Sequence, residues 1–300
     1  TPLLNADLQV ADLGVMGAHL GNLGLQAAND PAGAWTAAAG LTGEGNDIAL
    51  TGTLTPRADS MLIDGNLLAQ PLNLASLDSL AKDYATDLSG GLNADLRFNG
   101  LLQKPAVLGS LDFDGVTVRP VITGSHLKIP KGRIDFSPGV IMTKESITLL
   151  DSLENEAKLS VLAITDDYSV YYLGGGLTAE NFLLLNTTEQ ENSLYYGKVL
   201  ADIDLSLKGM TNEVVDIDCT VEPRANSSFF YLYDQGDALD EIDTGDGFVE
   251  FVDFDLIDRE KDTLARGEPQ DTILNTSGFD INITADLNRN LALTVVMDQE

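Results

Sequence analysis

The chain has 300 residues, 44% of them hydrophobic, enough to bury a core, and its 17 basic and 47 acidic residues leave a net charge of -30. Such a surface repels phosphate, which argues against nucleic acid and anionic membrane surfaces as partners. Cys219 stands alone, so no disulfide forms within the chain; between Ile217 and Val221 it reads as a small buried hydrophobe rather than a nucleophile.

The chain opens at Thr1 with no initiator Met and no basic stretch before an apolar core, and it reads as a piece of a longer protein. Alternating runs begin at once: Leu8 and Val10, then Trp35, Ala37 and Ala39, then Ile48, Leu50, Gly52 and Leu54, then Met61, Ile63 and Leu67. A period of two marks a half-buried strand. Residues 1–70, rich in Ala and Gly, are therefore predicted as thinly packed strands of a β array. Leu13 to Asn29 has no Asp, Glu, Lys or Arg, but Gly14, Gly17, Gly21 and Gly24 dilute it too far for a bilayer span.

Residues 71–90 break the rhythm. Leu77, Leu80, Ala81, Tyr84 and Leu88 recur at helical spacing behind Ser76 as N-cap, predicting a short amphipathic helix over 76–88. Its polar face carries Asp78, Asp83 and Asp87 against Lys82, which suits a cover over a sheet edge better than a membrane-surface helix.

Residues 91–233 carry the sharpest β signal. Ala94, Leu96 and Phe98 lead into the hairpin-type dipeptide Asn99-Gly100, and Leu111 and Phe113 into Asp114-Gly115. Ile134 and Phe136 precede the turn Ser137-Pro138-Gly139; Leu159 with Val161, and Val170 with Tyr172, follow. Gly174, Gly175 and Gly176 predict a bulge or a close backbone approach. After Phe182 and Leu184 comes the clearest strand, Tyr195 to Gly209. Val199, Ala201, Ile203, Leu205 and Leu207 take one side; Lys198, Asp202, Asp204, Ser206 and Lys208 take the other, with Leu200 the exception. Val215 and Ile217 continue the pattern.

Residues 234–265 form an acidic segment. The D-x-D-x-D-G spacing of a calcium loop is missing, so a solvated insertion is predicted. Residues 266–300 read as a closing hairpin, with Phe279, Ile281 and Ile283 on one arm, Leu291, Leu293 and Val295 on the other, and a turn through Asn288 to Asn290.

Enzyme chemistry is not visible. His19 and His126 are the only histidines, and HExxH, paired Cys and G-x-S-x-G are all missing, so neither a metal nor another cofactor is expected. A glycosidase-type carboxylate pair stays open, although almost every carboxylate lies on the polar phase of a strand. Sequons at Asn186, Asn226, Asn275 and Asn282 fit chance in a polar β chain. The predicted fold is all-β, elongated and mostly antiparallel, with one short helix. On residues alone the apolar face is either an open groove or the core of a closed sandwich or β-helix.

Five phrases carry a resemblance: LLAQPLNLASLDSL (67–80), LNADLRFNG (92–100), KPAVLGSLDFDGVTVRPVITGSHLKIPKGRIDF (104–136), DSLENEAKLSVLAIT (151–165) and NFLLLNTTEQENSLYYGKVLADIDLSLKG (181–209). In order and spacing they resemble the AsmA-like C-terminal region of the translocation and assembly module family, TamB, in its Bacteroidetes-type form. The resemblance implies a β-taco: an open trough with an apolar interior, in an envelope protein anchored in the inner membrane and reaching through the periplasm. It also implies phospholipid transport between inner and outer membranes, or outer-membrane protein assembly with a BamA-related barrel. A structural adhesin-like domain is the remaining alternative. The groove-lining residues would be Leu111, Phe113, Ile134, Phe136, Leu159, Val161, Val170, Tyr172, Phe182, Leu184, Val199, Ala201, Ile203, Leu205, Leu207, Val215, Ile217, Phe279, Ile281 and Ile283. Fifteen to twenty strands at ~4.8 Å each would stack to roughly 70–95 Å.

Overall fold

The computed structural model describes residues 2–233, 278–286 and 290–297. Among these residues seventeen strands join one sheet. The first eight are β1 (Asn5–Val15), β2 (Ala18–Asn29), β3 (Trp35–Gly43), β4 (Asn46–Arg57), β5 (Ser60–Asn73), β6 (Ala85–Leu101), β7 (Lys104–Pro120) and β8 (Leu127–Ser137). The others are β9 (Val140–Met142), β10 (Ile147–Leu150), β11 (Glu156–Thr165), β12 (Tyr171–Thr187), β13 (Tyr195–Met210), β14 (Val214–Pro223), β15 (Ser227–Tyr233), β16 (Gly278–Ala285) and β17 (Leu291–Met297).

β1 to β8 are an antiparallel meander, each strand paired with its predecessor and successor. β9 and β10 lie end to end between β8 and β11. The meander resumes through β12 and β13, and β14 and β15 lie end to end along β13. Three ranks are thus split into two collinear segments each, so seventeen strands fill fourteen ranks. At ~4.8 Å per rank the sheet is ~62 Å across. That is shorter than the strand count alone suggests, because a split rank uses two alternating runs for one step. Among the described residues β1 pairs only with β2, and β16 and β17 only with β14 and β15, so no other described strand pairs along the outer edges of β1, β16 and β17.

The expected closing hairpin is corrected. β16 runs parallel to β14 and β17 parallel to β15, so the two segments extend one rank instead of folding back on each other. Alternation is the same in a hairpin and in a broken strand, and only pairing distinguishes them. A parallel return requires a long connection, and residues 234–277 are long enough to supply it. The predicted acidic insertion falls there, outside the described residues.

The helix is also shorter than predicted. A 3₁₀ turn at Leu74–Leu77 and a single α turn, α1 (Asp78–Ala81), replace it, with Asn73 rather than Ser76 as the cap: its side chain accepts from the Ala75 N–H at 3.2 Å. Tyr84 is 83% exposed, and Leu88 belongs to β6. Pairing of β6 with β7 from Ala85 onward wins over helical spacing. The turn packs on one rim through Asn46, whose Nδ2 donates to Leu20 O and Ser76 Oγ, both at 3.0 Å. Asn99-Gly100 and Asp114-Gly115 lie inside strands; the β6–β7 hairpin turns at Leu102-Gln103, between the paired Leu101 and Lys104. Ser137-Pro138-Gly139 does make the β8–β9 turn.

Candidate functional site

Residues directly opposite one another in a ladder share a face of the sheet. From Leu8 the register runs through Leu25, Ala39, Leu50, Leu67, Leu96, Gly109, Phe136, Ile141, Ala163, Leu173, Gly209 and Val215 to Phe279. Every rank contributes one residue to this row, and none is polar. A second row on the same face runs Val10, Leu23, Leu41, Ile48, Ala69, Ala94, Leu111 and Ile134, and a third Ala6, Ala27, Ala37, Gly52, Gly65, Phe98 and Val107. The reverse face carries rows such as Lys158, Thr178, Asp204, Thr220 and Thr284. There Arg133 bridges Asp112 and Asp135 at 3.2 and 3.1 Å and holds the Asp135 carboxyl below the usual range. Arg224 pairs with Asp202 in the same way and lowers its pKa.

The apolar face changes character along the sheet. In β1–β4 several of its large side chains are open, Leu8 by 50%, Leu25 by 37% and Leu50 by 46%; from β5 to β7 Leu67, Leu96, Phe98, Leu111 and Phe113 are half-buried, and Gly65, Ala69 and Ala94 are buried. From β10 to β14 one end of the face is filled, while Leu159, Val161, Leu173, Leu205, Leu207 and Ile217 stay half-buried. Leu149, Ala157, Ala179, Phe182, Leu185, Val199, Ala201, Ile203 and Val221 form one buried cluster, with Leu127, Ile129, Tyr195, Phe229 and Leu291 packed against it. The Tyr195 and Phe229 rings meet tilted, 6.4 Å apart.

Two devices close this section. The β7–β8 loop, residues 121–126, reaches past the β9/β10 and β11 ranks: Thr123 O accepts from Asn186 N at 2.8 Å and Ile122 O from the Tyr195 hydroxyl at 2.9 Å. Arg119, whose Nε donates to Gly124 O, pairs with Glu191 at 2.5 Å. That pairing foremost, with the Thr188 N–H and hydroxyl, holds the Glu191 carboxyl at about 2. The second device is Asp151, 5% exposed, which accepts from Leu153 N, Asn155 N, Asn155 Nδ2 and Leu183 N at 2.7–2.9 Å. It thereby satisfies the edge of β12 where β11 has ended.

Most of the expected lining residues share this face: Leu111, Phe113, Ile134, Phe136, Leu159, Val161, Phe182, Val199, Ala201, Ile203, Leu205, Leu207, Val215, Ile217, Phe279, Ile281 and Ile283. Leu184 takes the extra position of a β-bulge and packs against the buried cluster, leaving Leu185 in the ladder. Tyr172 is corrected: it pairs with Ile164 and Met210 on the reverse face, while Leu173 holds the apolar side. Val170 precedes β12 and lies outside the ladder. The phase error arises because Gly174–Gly176 carry no side chains to mark the faces. Those glycines make the close backbone approach expected of them; a Cβ at Gly175, where φ is +148°, would stand 2.4 Å from Ser160 O. Leu200, the exception on β13, pairs with Leu183 on the reverse face, where both are buried.

Lining residues that sequence reasoning did not single out include Leu23, Leu25, Leu41, Ile141, Ala163 and Leu173; the first three lie on strands interrupted by glycines. Cys219 sits in the apolar ladder between Leu205 and Ile283, and burial, with Asp204 adding to it, pushes its thiol pKa up. Among the described residues no group of three or more His, Cys, Asp or Glu is placed to hold a metal, and no helix is long and apolar enough to cross a membrane. No family model, curated protein or solved structure matches the chain.

Proposed function

We propose that the chain is a segment of a TamB-like envelope protein whose apolar sheet face carries phospholipid acyl chains through the periplasm between inner and outer membranes. It works as a passive conduit, without enzyme chemistry or cofactor. The observation that carries this reading is the unbroken apolar row from Leu8 to Phe279, running across the strands with no polar side chain in it. A protein partner normally brings hydrogen bonds to its interface; this row offers none, and hydrocarbon asks for none. The family assignment rests on the resemblance of residues 67–209. The test is mass spectrometry of organic extracts from the 300-residue chain purified without detergent. Bound phospholipid is expected, and a lipid-free protein would contradict the proposal.

A second reading, assembly of outer-membrane barrels with a BamA-related partner, draws on the outer edges. Of these, β16 exposes Phe279, Ile281 and Ile283 by 59–65%. Strand addition at that edge would supply the contact. Site-specific cross-linking from Ile281 to a barrel edge strand is its test.

A further inference from the structure

We infer that the apolar face of the last rank is the docking surface for residues 248–257 of the same chain, an inference that stands apart from the lipid-carrying reading. Phe279, Ile281 and Ile283 on β16 are 59–65% exposed, and Leu293 and Val295 on β17 are 38 and 42% exposed. They face the same way as Val215 and Phe229, whereas Asp280, Asn282, Thr284 and Thr294 take the reverse face. Apolar surface gathered on one face in this way marks a contact. The connection between β15 and β16 supplies the occupant. Gly278 pairs with Val214 and Met297 with Tyr233, so residues 234–277 return the length of the rank, ~65 Å at ~3.3 Å per residue. Their extended length is more than twice that distance, which leaves chain to lie against the sheet.

Handedness selects the face. Glu213 O and Val221 O accept from Gly278 N and Asp286 N at 3.2 and 3.0 Å, so the odd-numbered residues of β14 turn their backbone groups toward β16. The same residues, Val215, Ile217 and Val221 among them, put their side chains on the apolar face. On a strand of L-residues running upward, a residue whose side chain faces the viewer has its N–H and C=O pointing right. Seen from the apolar face, β16 therefore lies to the right of β14. A connection that leaves the top of this rank for the foot of a parallel neighbour on the right is right-handed only if it passes on the viewer's side. About 98% of such crossovers are right-handed. The path so selected crosses the apolar face, where Phe279, Ile281 and Ile283 stand. Within residues 234–277 the apolar side chains gather in FVEFVDFDLI (248–257), which holds three of the chain's ten Phe. Phe248, Phe251, Phe254 and Leu256 match that face in chemistry, and no other stretch of the connection is as apolar.

The probe is the photo-cross-linking residue p-benzoylphenylalanine, placed in the purified 300-residue chain at Ile281 on the apolar face or at Asn282 on the reverse face, with adducts mapped by peptide mass spectrometry. Ile281 should give adducts within the same chain on residues 248–257, several-fold more than Asn282 gives. Equal yields from the two positions, a higher yield from Asn282, adducts only between two copies, or no adduct on 248–257 from Ile281 would each overturn the assignment. Adding Phe254→Asp and Leu256→Asp should lower the Ile281 yield several-fold while the circular dichroism spectrum is kept, and an unchanged yield overturns it as well. Phospholipid recovery tests the lipid-carrying reading separately.

Discussion

Leu50 and Ile203 sit on the same face of one sheet, each between apolar ladder neighbours, yet Leu50 is 46% exposed and Ile203 6%. The alternation that places them is identical. What separates them is coverage: Ile203 belongs to a buried cluster against which Leu127, Ile129, Tyr195 and Phe229 pack, and around Leu50 nothing comparable among the described residues does. A period of two therefore says which face is apolar. Whether that face becomes a core or stays available is settled by contacts between distant segments.

The largest effect should come from placing a charge at each position. Ile203→Arg forfeits ~1.5–3 kcal/mol of burial and leaves an unpaired charge in the cluster, against a total stability of ~5–15 kcal/mol for a domain. Loss of cooperative thermal unfolding is expected by circular dichroism. Leu50→Arg, whose side chain reaches water, should shift stability by less than ~1 kcal/mol in urea titration. Equal losses would erase the distinction between the two sections.

Asp151→Ala comes next. It strips the acceptor from the N–H of Leu183, which is 2% exposed, and from two turn N–H groups, for an expected loss of ~2–3 kcal/mol. Hydrogen exchange should show the Leu183 amide among the most strongly accelerated. Gly132→Ala overpacks Ile147 and should cost ~1–3 kcal/mol, whereas Ala39→Gly in the open section should cost ~1 kcal/mol or less.

The smallest effect concerns the loop that closes the filled section. Glu191 titrates at about 2 when folded against its ordinary 4.5, so folding favours the ionised form. Its contribution is complete above about 4.5 and disappears as pH falls through about 2. The Glu191 side chain is 39% exposed, so screening holds the contribution to ~1 kcal/mol or less. The difference in urea midpoint between the unaltered chain and Glu191→Gln should shrink across that window; a constant difference would remove the ion pair from the closure.

Much of the fold was legible because β13 and its neighbours alternate cleanly. The sides assigned to Val199 through Leu207 are the sides they occupy. Leu200 was legible as an exception but not as a partner of Leu183, since a bulged ladder seventeen residues upstream supplies that contact. The phase of β12 was lost in its glycines, and the split of the last rank was hidden because alternation does not report which strand lies alongside. Open and filled sections were indistinguishable for the same reason: the loop at 121–126 and the donors at 186–195 that hold it lie more than sixty residues apart.

The most direct test of the central claim compares phospholipid recovered, without detergent, from the unaltered chain, Leu50→Arg and Thr51→Arg. Thr51 pairs with Ala38 and Asn66 on the reverse face, one residue away from Leu50. The expected result is phospholipid in the unaltered chain and in Thr51→Arg, with a several-fold loss from Leu50→Arg while all three remain folded. Equal recovery from all three, or none from the unaltered chain, would contradict the claim.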